Sequence, residues 1–296
     1  MSPDYAIPNV FHFVFGLKPQ SEPFHLMYYL CLASCLQVNQ PDKIVFHYHN
    51  EPYGEWWDRI KPNLELRRIE PDSFVNAFNY QDQNIGSFRY AHLADFARLQ
   101  ILLEEGGVYA DIDTLFIKKI PRHWFFQQFV LGREKPPATA KLGGSLCNAW
   151  IASAPGSEFC RLWLEQMQQA FDGSWSNHST LLPYELSLRY ADLLAVEPET
   201  SFYALDWTPQ CIDQLFLGKV ALPDQAFSLH LWNHLWWQTQ RRDFSRFHGG
   251  LLTVDYVAHA DTTYAILARP FLPDDVKSSR QGYWRQRVGY WLRWFF

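Results

Sequence analysis

The densest chemistry in the sequence lies in one stretch, Arg89 to Ile117, RYAHLADFARLQILLEEGGVYADIDTLFI. Asp95 and Arg98 stand three apart, which on a helix places them on one face, as an ion pair or as two groups for one polar ligand. Tyr109, Asp111 and Asp113 alternate along a segment that reads as extended, so their side chains point to one side. Carboxylates at a strand end lie beyond the carboxyl edge of a sheet, where α/β folds bind ligands. Their hard oxygens suit Mg2+ or Mn2+ rather than a soft metal, with water and diphosphate oxygens filling the other positions. An Asp-x-Asp triplet is common by chance, so its weight rests on its surroundings.

Other candidates carry less. His230 and His234 form an HxxxH pair, but Leu231 stands where a zinc protease needs its glutamate. His92, one turn before Asp95, reads as a packed helical histidine, and Asp274-Asp275 as a solvated loop. Cys31 and Cys35 share a helix face and read as core. The five cysteines include no CxxC pair, so neither a zinc site nor a disulfide framework is expected. GxGxxG, P-loop and GxSxG motifs are absent, which removes support for dinucleotide, P-loop and α/β-hydrolase readings.

These residues need elements to hold them. Asn9–Phe15 reads as a buried strand ending at Gly16. Ser21-Glu22-Pro23 opens a helix with Ser21 as its cap, running to about Gln37. Lys43–His49 and Leu66–Ile69 are the next strands. Ser87 caps a helix to Glu105, and Gly106-Gly107 ends it as a left-handed cap requires. Val108–Asp111 is a strand, Thr114–Ile117 continues it, and a helix lies between Pro155 and Ala170. Strand alternating with helix predicts an α/β fold with a mostly parallel central sheet flanked by helices. One domain over residues 1–276 and a tail over 277–296 are expected.

The bulk numbers are consistent with this. A chain of 296 residues, 48% hydrophobic and 19% charged, folds rather than staying disordered. A net charge of -5 argues against a nucleic-acid partner. Aromatics reach 17%, mostly as core, with some rings suited to stacking on sugars or bases. The N-terminal MSPDYAIPNVFHFVF lacks a basic signal region and no run of 18 apolar residues occurs, so a cytoplasmic location is expected. Asn177-His178-Ser179 is formally a glycosylation acceptor, without meaning in that compartment.

The window from Arg89 to Ile117 resembles the DXD region of GT-A glycosyltransferases. It is most similar to the sugar transferases related to the initiating mannosyltransferase of yeast, and also to α1,4-galactosyltransferases and the clostridial glucosylating toxins. The matching positions are Asp95, Arg98, Gly106, Gly107, Tyr109, Asp111 and Asp113; Ala94 stands where the pattern has Ser. Phe11–Gly16 is similar to the first strand, whose end lines the nucleotide base, and Phe15 stands where the toxins have Trp. Cys147-Asn148-Ala149, Phe202–Trp207 and Leu229-His230-Leu231-Trp232-Asn233 are similar to later segments.

The resemblance implies a GT-A nucleotide-sugar-binding domain and a metal-dependent, retaining transfer of a hexose to a glycan or lipid-linked acceptor. A UDP-sugar is the favoured donor. It implies that Asp113, with Asp111 and His230, holds Mn2+ or Mg2+. Asp111, Asp113, Arg98 and Asn148 are then the catalytic set. Phe13, Phe15, Asp95, Arg98, Tyr109, Asp111, Asn148, His230 and Trp232 line the donor. The alternatives are a nucleotide-sugar hydrolase and a non-catalytic carbohydrate- or membrane-binding relative.

The tail differs from the rest. Lys277, Arg280, Arg285, Arg287 and Arg293 occur there with no acidic residue, leaving 21 basic against 31 acidic groups in residues 1–276. Trp284, Val288, Trp291 and Phe295 follow a helical spacing, so a last helix is expected. Basic and aromatic side chains together suit an anionic membrane surface, with peripheral attachment to its inner face.

Overall fold

The computed structural model describes residues 6–70, 89–138, 140–237 and 247–295, with side chains of the last helix as far as Tyr290. A seven-stranded sheet runs in the order β3-β2-β1-β4-β7-β6-β8. Its members are β1 (Val10–Phe15), β2 (Lys43–Tyr48), β3 (Glu65–Arg68), β4 (Gly107–Ala110), β6 (Phe129–Arg133), β7 (Leu146–Ser153) and β8 (Ala195–Glu197). Four pairings are parallel. The two antiparallel ones are both made by β7, against β4 and β6. The expected α/β fold with a mostly parallel, helix-flanked sheet is the one found.

The helices are α1 (Leu26–Ser34), α2 (Glu55–Ile60), α3 (Arg89–Glu105), α4 (Glu158–Ala170), α5 (Leu182–Arg189), α6 (Pro209–Phe216), α7 (Asn233–Trp236), α8 (Val254–His259), α9 (Thr263–Ala268) and α10 (Arg280–Phe295). Alternation along β1 divides the core. Phe11 and Phe13 face α1, packing with Leu30 and Cys31. Val14 faces the other way, into a cluster with Leu99 and Leu102 of α3 and Phe159 and Trp163 of α4.

Several boundaries differ from the sequence reading. The first helix begins at Leu26 and is capped by His25, whose Nδ1 accepts from Met27 N at 3.1 Å, not by Ser21. The reason is the bond from Phe24 N to Tyr53 O at 2.8 Å, which keeps the chain extended past Pro23. The expected cap Ser87 lies outside the described residues. Thr114–Phe116 forms a strand, β5, but it leaves the main sheet and pairs with β9 (Ser228–His230) instead. The strands β6 and β7 were not expected. LCNAWIAS is buried at all eight positions, so β7 shows no alternation to read.

A buried histidine pair lies between β1 and β2. His12 Nδ1 is 3.1 Å from His47 Nε2, and His12 Nε2 is 3.0 Å from Gly106 O. Both rings are almost fully buried, at 0% and 1% exposure. Burial pushes His12 down to about 4 and His47 down to about 3, so both are neutral at pH 7. With the folded values lowered, the unfolded chain binds protons first as pH falls below about 6.5, and stability is lost from there down to about pH 4. His25 and His234, also lowered to about 4 by burial, act in the same direction. Each lowered histidine forfeits up to about 2 kcal/mol between about pH 6.5 and 5. His230, raised by its carboxylates, offsets part of the sum. Urea midpoints are therefore expected to fall by the equivalent of several kcal/mol above the main carboxylate range. A midpoint constant across that window would contradict the neutral pair.

Candidate active site

The two glycines after α3 place the carboxylates. Gly106 N bonds back to Leu102 O at 2.9 Å and closes the helix with φ +67°. Gly107 has φ +103°, and a Cβ there would lie 2.5 Å from Val10 O. Only glycine accepts that angle and lets β4 approach β1 so closely. β4 then ends at Ala110 and the chain turns, with Thr114 N bonded to Asp111 O at 2.9 Å. This amends the sequence reading: Tyr109 is in the strand, but Asp111 and Asp113 are brought together by a turn, not by strand alternation.

The turn delivers the chain to β5, and β5 recruits the third group. Thr114 pairs with His230 of β9, and Leu231 N bonds Asp113 O at 2.9 Å. His230 Nε2 is then 3.2 Å from Asp113 Oδ1 and 3.7 Å from Asp111 Oδ2. Just beyond, Trp232 takes the left-handed conformation, φ +54°, with its indole N–H donating to Leu205 O at 3.0 Å. A bulky residue rarely adopts that region unless its surroundings enforce it. The kink starts α7 and aims Asn233 N at Asp113 Oδ2, 2.8 Å away.

Ligating atoms of Asp111, Asp113 and His230 all lie within 4.8 Å of one another. Two carboxylates and an imidazole are a donor set that fits Mn2+ or Mg2+. Burial raises the Asp113 carboxyl, but His230 and the Asn233 N–H outweigh it and hold its pKa below the ordinary value. Burial lowers His230, yet Asp113 and Asp111 raise it above the ordinary histidine value. The corner is built to hold positive charge.

Beside it lies a second network. Arg98 is buried, and its guanidinium reaches Asp95 Oδ1 at 3.0 Å and Asp111 Oδ1 at 3.1 Å, and donates to Asn148 O at 2.6 Å. It lies over the Tyr109 ring, 4.6 Å from the centroid, while Tyr109 OH donates to Asp111 Oδ1 at 2.6 Å. Asn148 Nδ2 donates to Asp95 Oδ1 at 2.7 Å. Burial raises Asp95, but Arg98 and His178 hold its pKa below the ordinary value. The structure thus brings together Asp95, Arg98, Tyr109, Asp111, Asp113, Asn148 and His230. Trp232 lies against His230, ring centroids 4.1 Å apart. Phe15 is half-buried at the end of β1, beside Tyr28 at 5.1 Å, whereas Phe13 is enclosed in the core at 0% exposure.

Three neighbours escaped the sequence reading. His178 is fully buried, and its Nε2–H donates to Asp95 Oδ2 at 2.9 Å from 83 residues away. Tyr28 OH accepts from Asn233 Nδ2 at 3.0 Å, tying α1 to the corner. Glu134, just after β6, accepts from Ser145 Oγ at 2.9 Å, and burial raises its carboxyl within electrostatic reach of His230. The only local signal at His178 was an apparent glycosylation triplet, which carries no chemistry toward Asp95.

Comparison with known proteins follows the same residues. Residues 35–131 match the family model described as glycosyltransferase sugar-binding region containing DXD motif. Glucan organizing enzyme 1 of Cryptococcus neoformans var. grubii is 31% identical over 211 residues, 68% of this chain and 55% of that protein. The chain thus spans about half the length of this curated relative. Among solved structures, the galactosyltransferase LgtC in complex with donor and acceptor sugar analogs aligns at 14% identity, covering 90% of this chain and 98% of that one, with a TM-score of 0.46. The apo-form glycosyltransferase GlyE of Streptococcus pneumoniae TIGR4 aligns at 12% identity over 89% and 63%, with a TM-score of 0.45. The family match bears out the resemblance drawn from the window between Asp95 and Asp113.

Proposed function

We propose that this chain, which carries the DXD-containing sugar-binding region of the glycosyltransferases, is a metal-dependent retaining glycosyltransferase that moves a hexose from a UDP-sugar to a glycan or lipid-linked acceptor. The observation that carries the reading is the convergence of Asp111, Asp113 and His230 within 4.8 Å, next to the network of Asp95, Arg98 and Asn148. Asp111, Asp113 and His230 would hold the ion. A bound Mn2+ or Mg2+ supplies Lewis-acid stabilisation of the charge that grows on a departing nucleoside diphosphate.

The protein's own groups then have distinct tasks. Asp95 and Asn148 offer a carboxylate and an amide, positioned by Arg98 and His178, to sugar hydroxyls. Arg98 fixes the Asp111 carboxylate by charge and through its bond to Asn148 O. Phe15, at the open end of β1, is the ring for a uracil. Buried aromatics around the corner, Tyr109, Tyr203 and Trp232, keep water from the reacting carbon. The relative named for glucan supports a glycan acceptor, and retention follows the resemblance.

Thermal unfolding with UDP-glucose, UDP-galactose, UDP-GlcNAc and GDP-mannose, each with Mn2+ or with EDTA, tests the donor. A UDP-sugar should raise the melting temperature only with Mn2+, by the equivalent of about 2.7 kcal/mol at a hundredfold excess over its Kd. Stabilisation by GDP-mannose alone would overturn the UDP assignment, and equal stabilisation in EDTA would overturn the metal role.

A further inference from the structure

We propose that the outward face of α10 docks the protein on an anionic lipid surface. One side of the helix is fixed to the domain. Tyr283 is buried at 6% exposure, and Gln286 accepts from Thr253 Oγ1 at 2.7 Å and donates to Gly250 O at 2.9 Å. Ser279 N bonds Asp255 Oδ1 at 2.6 Å, and Gly282 comes so close to Asp255 that a Cβ there would clash with its carboxylate. These anchors set the helix rotation.

The anchoring turns Trp284 and Val288 outward, one turn apart and each 54% exposed. Arg280, Arg285 and Arg287 are exposed along the same helix. In sequence, Trp291 and Phe295 continue the Trp284 and Val288 positions at a seven-residue step. The helix therefore offers Trp284 and Val288 as exposed apolar groups among arginines. Burying Trp and Val at the headgroup boundary while arginines meet lipid phosphates is the interfacial mode of an amphipathic helix.

Charge selects the occupant. From Lys277 onward there are five basic residues and no acidic one, whereas residues 1–276 are acidic overall. Anionic lipid attracts the helix and repels the body, which orients the molecule with α10 down. A second copy pairing through this face would set arginine against arginine. Among the described residues no helix is long and apolar enough to cross a membrane, so the contact is peripheral.

Co-sedimentation of the full chain with phosphatidylcholine vesicles, with and without phosphatidylserine, tests the proposal. The protein should pellet with the mixed vesicles, stay in solution with neutral ones, and be released by high salt. Each arginine near the surface contributes about 1 kcal/mol, so Arg280→Gln with Arg285→Gln should lower partition about 30-fold. Trp284→Ser with Val288→Ser should also release the protein; if that pair lowers the melting temperature, the arginine pair carries the test. Wild-type protein that stays in solution, binds both vesicles equally, or is unaffected by both pairs of substitutions overturns the proposal. So does a dimer in sedimentation velocity that the Trp284 and Val288 substitutions dissolve, which would assign the face to a second copy.

Discussion

Asp113→Asn is expected to abolish Mn2+ binding and to lower turnover by about a thousandfold or more, the scale of losing a main electrostatic stabiliser of the transition state. Asparagine is the informative replacement because the Asp113 carboxylate does two jobs. It faces His230 at 3.2 Å as a charge, and it accepts from Asn233 N at 2.8 Å as a structural oxygen. Alanine would strand the Asn233 N–H as well, at a cost of about 1–3 kcal/mol. An asparagine oxygen keeps that bond and removes the charge. Calorimetric titration with Mn2+ reads the metal, and denaturant midpoints read the fold. A variant that binds Mn2+ as the wild type does, or turns over at the wild-type rate, would remove Asp113 from the metal corner.

Arg98 should show the second large effect, in both stability and activity. Its guanidinium is the common partner of Asp95, Asp111 and the Asn148 carbonyl, at 5% side-chain exposure. Arg98→Ala leaves those carboxylates uncompensated, and breaking a buried pair in this way costs about 3–5 kcal/mol. Arg98→Lys restores the charge but not the planar fork that reaches three acceptors at once. The lysine variant is expected to keep more of the stability and still lose about a hundredfold in kcat/KM, because Asp111 is no longer fixed. Paired urea midpoints and kinetics with saturating Mn2+ separate the two effects. If activity falls only as far as the folded fraction does, Arg98 acts through the fold alone.

The parallel half of the sheet was legible because its signals are local. Phe11 to Phe15 is a short apolar run, Lys43 to Tyr48 alternates, and Gly106-Gly107 stops a helix where a strand must begin. The Asp95–Arg98 spacing also gave the right face, since helix geometry fixes it. What could not be read locally was long-range pairing. His230 reaches Asp113 because β5 leaves the main sheet for β9, more than a hundred residues on, and only the resemblance pointed to it. His178 meets Asp95 from a segment without clear periodicity. Asn148 sits on β7, a strand buried at every position, where a continuous apolar run hides the edge that carries polar groups, and Glu134 follows directly on β6. The turn at Asp111 was missed because Tyr-Ala-Asp-Ile-Asp looks extended, and only the Thr114 N to Asp111 O bond shows that it bends.

Metal-dependent sugar transfer at this corner is tested by release of nucleoside diphosphate from the nucleotide sugar that the melting screen selects. It is followed chromatographically with Mn2+, with EDTA, and with the Asp113→Asn variant, each with and without a glycan acceptor. Nucleoside diphosphate and an extended glycan are expected together, only with Mn2+ and only with Asp113 intact. Nucleoside diphosphate and free sugar at the same rate without acceptor would make the protein a hydrolase. Turnover undiminished in EDTA would contradict a metal-dependent transferase built on Asp111, Asp113 and His230.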